Sequence, residues 1–285
     1  MASLRDIRTR IGSVKNTKQI TSAMKMVSAA KLKRATDAAV RARPYQQTLS
    51  ATLKRVAAAS GDVSHPLLEA RTDVKKVLVL VIGTDRGLCG GFNANLNRKA
   101  LEFVTRAKGE GKAVELRTWG KKSRDFMKTR NPASASVVEM TTAKFAATAT
   151  GLADEAALLY TSGAVDEVYV AYNQFKNTLT QVPSVVRLLP FALEAGNAEG
   201  GAEYVYEPSG PEMLAALLPL ALRTQVLQAF LETEAGEHAA RMTAMDNATR
   251  NASDLIAALT LEYNRGRQAA ITKELIEIVS GAEAL

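Results

Sequence analysis

The stretch VLVLVIGTDRGLCGGFN, residues 77–93 of the 285-residue chain, decides the fold. Its first six residues form a continuous apolar run with the length of a strand that is buried on both faces. A glycine-rich turn follows, and then a helix-like stretch over residues 94–108. Strands and helices continue to alternate as far as residue 189, which predicts an α/β domain with a largely parallel sheet covered on both faces.

The same alternation predicts four further strands and two further helices. The strands are residues 114–119, 136–140, 167–175 and 181–189, and the helices are residues 121–129 and 143–162. The last two strands are joined by residues 177–180 and fit an antiparallel hairpin. Residues 194–201 are rich in Gly, Ala and Glu and are predicted to form an exposed loop.

A very long helix is predicted before this domain. Good helix formers dominate residues 2–59, where Gly12 and Pro44 are the only Gly and Pro. At ~1.5 Å per residue the helix is roughly 85 Å long, and Pro44 is expected to bend or end it. The apolar positions follow steps of three and four, slip by one residue, and resume, which predicts a coiled-coil seam: Leu4, Ile7, Ile11, Val14, then Ile20, Met24 and Val27.

A second long helix is predicted from Pro211 to about Val279. One face alternates steps of three and four without interruption: Met242, Met245, Thr249, Ala252, Ile256, Leu259, Tyr263, Gly266 and Ala270. Such a seam seats a partner helix closely, and the N-terminal helix of the same chain is the most economical partner. The predicted domains are therefore residues 1–60, 74–206 and 210–285.

Composition excludes several classes of protein. The single cysteine, Cys89, cannot form an internal disulfide, and two histidines with one cysteine are too few for a Cys/His zinc site. The N-terminus is charged by Arg5 and lacks a signal-peptide core, and the longest apolar runs, 77–82 and 214–222, are shorter than the ~20 residues of a membrane span. We expect no metal, no cofactor and no membrane-spanning helix.

The net charge of +8 comes from the first sixty residues, which hold 13 Lys and Arg against 2 Asp and Glu. A basic run there could bind nucleic acid, an acidic protein partner or only water: Lys31, Lys33, Arg34, Arg41 and Arg43. Tyr45 is the only aromatic residue among these cations, which disfavours binding of single-stranded nucleic acid.

The glycine-rich turn lies where a nucleotide enzyme has its phosphate-binding loop. A P-loop requires Lys-Ser/Thr after its second glycine, but Leu88 and Cys89 follow Gly87 here. We interpret the turn as a structural or partner-docking element made of Thr84, Asp85, Arg86, Gly87, Gly90 and Gly91. Because neither histidine lies near Cys89 in the sequence, no catalytic residue is predicted.

Three stretches resemble the gamma subunit of the F-type rotary ATP synthase. They are residues 7–27 (IRTRIGSVKNTKQITSAMKMV), residues 84–93 (TDRGLCGGFN) and residues 263–281 (YNRGRQAAITKELIEIVSG). They occur in the order of that family, and the similarity extends from end to end.

The resemblance implies a long antiparallel coiled coil of the terminal helices plus a central Rossmann-like α/β domain. It implies a non-catalytic, peripheral subunit in one copy on the cytoplasmic face of the bacterial membrane. The coiled coil would stand inside a ring of alpha and beta subunits, and the central domain would contact the epsilon subunit and the c ring. Nucleic acid is not an expected partner.

In that family the coiled coil is a rotating shaft, and its contacts with the ring correspond here to Met24, Lys25, Arg241, Gln268 and Thr272. For Met24 the alternative is packing in the seam, and for the last three it is a solvated face. Two other functions remain open from the residues alone. These are a nucleoside-handling α/β enzyme with helical arms and a basic coiled-coil nucleic-acid-binding protein.

Overall fold

The structure is a computed structural model that describes residues 3–59, 65–130, 135–138, 145–191, 207 and 209–283. Its elements are, in chain order, α1 (Leu4–Ala59), β1 (Lys76–Ile82), α2 (Phe92–Gly109), β2 (Ala113–Trp119), α3 (Lys121–Arg130), β3 (Ala135–Val138), α4 (Phe145–Thr161), β4 (Glu167–Phe175), β5 (Gln181–Leu189) and α5 (Gly210–Glu283). The predicted loop at residues 194–201 lies outside the described residues.

The strands form one sheet in the order β3-β2-β1-β4-β5. β1 pairs in parallel with both β2 and β4, and β2 pairs in parallel with β3. β5 runs antiparallel to β4, which confirms the predicted hairpin. The parallel core with crossover helices confirms the largely parallel sheet that the alternation predicted and the Rossmann-like domain that the resemblance implied.

The alternating faces of β1 supply two hydrophobic clusters, as the continuous apolar run requires. Val77, Val79 and Val81 pack with residues of α2 and α3 on one face. The even-numbered residues of β1 face α4 and also the inner parts of the two long helices. Those helices contribute Leu49, Leu53, Val56, Leu214, Leu218, Leu222, Val226 and Phe230.

The chain divides into two compact units. Unit 1 is Met1–Ala29 with Arg241–Leu285, and unit 2 is Ala30–Ala240. Unit 2 is larger than the predicted central domain of residues 74–206, because segments of α1 and α5 cover one face of its sheet. The predicted boundaries at residues 60 and 210 fall inside this unit.

α1 begins at a reciprocal cap and continues through its proline. The Asp6 amide donates to Ser3 Oγ and the Ser3 amide donates to Asp6 Oδ2, both at 3.2 Å. The helix does not end at Pro44, since α1 extends to Ala59, and the bend that was the other predicted effect stays a prediction. Pro44 is exposed, and so is Val40, whose carbonyl loses its helical donor and can bond to water instead.

Within unit 1, α1 and α5 pair as an antiparallel coiled coil. Three facing pairs define the register: Leu4 with Gly266, Thr21 with Thr249, and Lys25 with Asp246. The residue numbers of these pairs rise along α1 and fall along α5, so the helices are antiparallel and keep one register. The predicted ladder of α5 is confirmed, since every member is buried or half-buried.

The predicted slip in the α1 seam is wrong. After Val14 the next buried position is Thr21, seven residues on, and steps of four and three then pass through polar residues, with Lys25 half-buried and Ser28 buried. Ile20 and Val27 are instead 60% and 56% exposed. The prediction failed because it followed apolar side chains where this part of the seam is polar.

One helix passes a test of length and composition for a membrane span. Gly210–Ser280 contains an 18-residue window of mean hydropathy 1.5, and 44% of that window is buried. The apolar start of α5 contributes seven side chains to the core of unit 2. Since a core helix also passes this test, the absence of a membrane span stays a prediction.

Candidate functional site

The glycine-rich turn connects β1 to α2 and is held by its own side chains. Thr84 Oγ1 lies 2.9 Å from Asn93 Nδ2, and the Thr84 amide donates to Asn93 Oδ1 at 3.3 Å. Asn93 Nδ2 also contacts the Arg86 carbonyl and Cys89 Sγ, at 3.5 and 3.3 Å. Thr84 and Asn93 therefore close the turn from its two ends.

The turn is also joined to the start of α3. The Lys121 amide donates to Asp85 Oδ1 at 2.8 Å, and the Lys122 amide donates to the Thr84 carbonyl at 3.1 Å. Gly120 has φ +86°, and a Cβ there would lie 2.5 Å from the Thr84 amide nitrogen. Only glycine fits this crossing, because both the backbone conformation and the space exclude a side chain.

Two amides of this region are used within the protein and not for a ligand. A phosphate-binding loop directs free backbone amides at the ligand. Here the amides of Thr84 and Phe92 already donate within the turn, and Asp85 places a carboxylate at the N-terminus of α3. The contacts of Thr84, Asp85 and Asn93 hold the turn together, and the interpretation of the turn as a structural or docking element stays a prediction.

The outer side of the turn is exposed. Arg86, Gly90 and Gly91 are open to solvent, whereas Thr84 is buried and Asp85 and Gly87 are half-buried. Leu88 is 63% exposed and has φ +61°, a left-handed conformation that is rare for leucine. The motif thus combines a fixed inner half with a rim that presents a cation and a leucine.

Cys89 is buried under this rim. Its sulfur contacts Asn93 Nδ2 and, at 3.9 Å, the Arg86 carbonyl, and neither group is a base. Within the described residues, no group of three or more His, Cys, Asp or Glu side chains could hold a metal ion.

The candidate contact residues on α1 lie beside the coiled-coil seam. Lys25 Nζ is 2.5 Å from Asp246 Oδ1, and Arg250 contacts the other oxygen of Asp246 at 2.6 Å. The hydrogen bond from Lys25 is the main cause that holds the pKa of Asp246 below its usual value. Met24 is half-buried, so the structure places Lys25 in an ion pair within the chain and Met24 at the margin of the seam.

The three candidates on α5 have different environments. Arg241 is buried, with 7% of its surface exposed. Gln268 and Thr272 are exposed, one helical turn apart, among large apolar side chains that are also exposed. A solvated face was the alternative to a partner contact for all three residues. In the isolated chain Gln268 and Thr272 have this solvated setting, and Arg241 does not.

Sequence reasoning missed the residues that join the long helices to the end of β4. Arg43 belonged to the basic run, yet its guanidinium donates to the Phe175 carbonyl at 3.1 Å. Glu232 was not singled out, and its carboxylate accepts the Phe175 amide, also at 3.1 Å. Gly236, a glycine inside a long helix, was the available signal of a close approach in this region.

Comparison with known proteins decides the family. The ATP synthase family model matches residues 3–285. The ATP synthase gamma chain of Anaeromyxobacter dehalogenans is 50% identical, and the alignment covers all of both chains. The chain belongs to the ATP synthase gamma chain family. The resemblance of the three sequence stretches is thereby confirmed.

Solved structures agree with a gamma-chain fold. A chain of the Tetrahymena thermophila mitochondrial ATP synthase central stalk and c-ring has a TM-score of 0.59 and 26% identity, covering 80% of this chain and 99% of that one. A chain of the Euglena gracilis mitochondrial ATP synthase has a TM-score of 0.69 and 23% identity, covering 99% and 94%. The coiled coil with a central α/β domain is therefore a fold found in ATP synthase.

Proposed function

We infer that this chain is the central rotor shaft of an ATP synthase. It couples proton flow through the membrane sector to ATP synthesis and hydrolysis on a ring of alpha and beta subunits. Membership of the gamma chain family supports this function, as does the antiparallel coiled coil of unit 1. A rotating asymmetric shaft changes its contacts with each beta subunit in turn, and such differential contact shifts a conformational equilibrium.

Large apolar side chains on both helices of the coiled coil are exposed in the isolated chain, and this observation carries the proposal. Their exposed fractions lie between 48% and 74%: Ile20, Met26, Val27, Leu261, Ile271, Leu275, Ile276, Ile278 and Val279. A soluble protein rarely leaves so many such side chains in water unless a partner covers them. An enclosing ring of alpha and beta subunits supplies that cover.

The remaining partners follow from the family. We propose that unit 2 contacts the epsilon subunit and the c ring. We also propose that each complex contains one copy of this chain. This places the chain peripherally on the cytoplasmic face of the bacterial membrane. No nucleic acid partner is proposed, since Arg43 of the basic run binds within the chain.

The subunit itself is proposed to be non-catalytic and to need no cofactor. The sequence of the turn supports this, since Leu88 and Cys89 follow Gly87 where a P-loop has Lys-Ser/Thr. The isolated chain should not hydrolyse ATP. Hydrolysis that disappears in Asp85→Ala would contradict the proposal.

Among the candidate contacts, Gln268 and Thr272 are best placed to meet the ring, because both are exposed beside the apolar side chains of the last turns. Met24 has part of its surface free at the margin of the seam. Lys25 must share its ammonium group with Asp246, and Arg241 has little surface to offer. We propose that Gln268, Thr272 and Met24 contact the ring directly. Lys25 and Arg241 would act indirectly.

Co-expression with alpha and beta subunits tests the function. The wild-type chain should co-purify in one copy with the ring and rotate during hydrolysis. Ile276→Glu with Val279→Glu should reduce assembly, because two exposed apolar side chains become charged. Lys273→Gln with Glu277→Gln is the matched control, since this exposed pair occupies the same turns and is already polar. Equal assembly of both variants would contradict an apolar contact with the ring.

A further inference from the structure

Both backbone polar groups of Phe175, the last residue of β4, are held by the two long helices. Its amide donates to Glu232 Oε2 of α5, and its carbonyl accepts from Arg43 Nη2 of α1, each at 3.1 Å. The pairing of β1 with β4 ends at Ala171, so β4 extends past its parallel neighbour. Side chains of the helices thus satisfy backbone groups that a strand would otherwise satisfy.

Glu232 is fixed in place by its own helix. Gln228 lies one turn earlier, and its Nε2 donates to Glu232 Oε1 at 2.8 Å. Both side chains are buried, with 4% and 7% of their surfaces exposed. One carboxylate oxygen of Glu232 therefore accepts from the Phe175 amide of the strand, and the other accepts from the Gln228 side chain.

The same face of α5 approaches the sheet closely one turn later. A Cβ on Gly236 would lie 2.8 Å from the Phe92 ring and 3.3 Å from Gln181 Cγ. Residues 228, 232 and 236 are spaced by four and share one helix face. This face meets both the hairpin between β4 and β5 and the start of α2.

A buried carboxylate is expensive to desolvate, and an apolar side chain at position 232 would be a simpler way to pack the helix. Apolar contacts are non-directional, so they resist separation of two elements better than sliding or rotation. A hydrogen bond, in contrast, is directional. Two such bonds on one residue fix the position of each helix relative to the strand.

We propose that Arg43, Phe175 and Glu232 form a clamp that passes torque between the shaft helices and the central sheet. The clamp rests on the proposed function as a rotor. Arg43 and Glu232 are positioning residues, because they act through the Phe175 backbone on the stiffness of the joint. Gln228 supports the clamp by orienting the carboxylate.

The test uses the assembled complex with a probe attached to an exposed position of unit 2. The angular fluctuation of the probe is measured while the ring is paused in hydrolysis. Glu232→Leu removes the acceptor for the Phe175 amide, and Arg43→Ala removes the donor to its carbonyl. Each variant should broaden the angular distribution and slow ATP synthesis under load. Hydrolysis of ATP by the alpha and beta ring with this chain, detached from the membrane sector, should be unchanged.

Two further variants separate the clamp from general destabilisation. Glu232→Gln retains an oxygen for the Phe175 amide, and its new amide group can donate to Gln228 Oε1, a buried atom without a partner in the structure. This variant should restore the wild-type distribution. Arg41→Ala is the matched control on α1, because Arg41 is exposed and donates to the Asp37 carbonyl of its own helix.

The double variant should broaden the distribution by less than the sum of the two single changes, because both act on one backbone residue. If Glu232→Leu fails to fold, Arg43→Ala alone decides, since it leaves Glu232 and Gln228 intact. Wild-type stiffness in an assembled, rotating complex that carries Arg43→Ala would overturn the clamp. A wild-type chain that does not assemble or rotate would instead overturn the proposed function.

Discussion

Tyr172 lies on β4 close to the Glu232 clamp, and its phenol is kept neutral. Burial, followed by the nearby charge of Glu232, raises the pKa of Tyr172 to about 12. An unfolded tyrosine titrates near pH ~10, so the unfolded state loses its proton first as the pH rises. Stability linked to this group is complete below pH ~10 and is lost as the pH approaches ~12.

We therefore expect Tyr172→Phe to lose less stability than the wild type between pH ~10 and ~12, by roughly 2 kcal/mol. Tyr160 and Tyr169 also have raised pKa values, but they are present in both proteins and cancel in the comparison. Urea unfolding across this pH range measures the difference. Parallel stability curves for the two proteins would show that Tyr172 ionises normally in the folded state.

Asp166 anchors the segment that leads into β1. Its carboxylate accepts from Arg71 at 2.7 Å and from the amides of Lys75 and Lys76 at 2.8 Å. Burial alone would raise the pKa of Asp166, but these hydrogen bonds hold it below its ordinary value. The linked stability is present above the unfolded pKa near ~3.9 and is lost as the pH falls through the folded pKa.

Asp166→Asn should destabilise unit 2 by about 1–3 kcal/mol at neutral pH, since Arg71 loses its charged partner. The difference from the wild type should begin to shrink below pH ~4, where the carboxyl of the unfolded wild type gains its proton, and should shrink further as the pH falls through the lower folded pKa. Chemical unfolding at pH 7 and pH 3 gives both values. A cost that is the same at both pH values would assign the effect to shape and not to charge.

At the scale of single elements, the sequence predicted the strands well because their signal is local. The six apolar residues of β1 can only be a buried strand at the centre of such a sheet, and they are 1% exposed or less. The α1 seam was predicted less well, because Thr21 and Lys25 carry no apolar signal. Their place in the seam depends on Thr249 and Asp246, which lie more than 200 residues away.

The fixed inner half of the 84–91 turn was only partly predictable. Missing P-loop residues argued against phosphate, but the bonds of Asn93 to Thr84 and of Asp85 to the Lys121 amide depend on the fold. The clamp was not predictable at all. No local sequence pattern marks Arg43 or Glu232. Their common partner is the backbone of Phe175, and a backbone contact does not depend on which residue type stands there.

The coiled coil leaves little space for a side chain at Gly266. A Cβ there would lie 3.0 Å from Leu4 Cδ2, whereas a Cβ on Gly12 of α1 would meet nothing within 4 Å. Alanine in place of a helical glycine is worth about 1 kcal/mol from propensity alone. Gly12→Ala should gain this stability, and Gly266→Ala should gain less because Leu4 must move.

Hydrogen exchange at the amides of residues 7–14 measures the two variants on the same segment. Slower exchange in Gly12→Ala than in Gly266→Ala is the expected result. Gly266→Val extends the series, and it should speed exchange relative to the wild type because a branched side chain cannot avoid Leu4. Equal protection in the two alanine variants would show that the helices do not approach closely at this point.

At the scale of the whole molecule, the long helices serve two purposes along their length. In unit 1 they pair with each other, whereas in unit 2 their inner segments are part of the core around the sheet. A helix that is built into a folded domain cannot turn without that domain. Within unit 2 this arrangement suits the transmission of torque, because core packing joins the helix segments to the sheet.

Fragments test how far the folded unit extends. Residues 74–206 lack eight large core side chains of α1 and α5, which are Leu49, Leu53, Val56, Leu214, Leu218, Leu222, Val226 and Phe230. At ~1.5 kcal/mol or more for each, their loss removes roughly 12 kcal/mol, as much as the whole stability of a typical domain. We expect residues 30–240 to unfold cooperatively in urea and residues 74–206 to show no cooperative transition. Leu218→Ala in the longer fragment is the graded control and should cost about 2–5 kcal/mol while keeping a single transition. A cooperative transition of equal midpoint in both fragments would show that the sheet and its three short helices fold without the shaft, and that torque must then cross a joint between two separately stable parts.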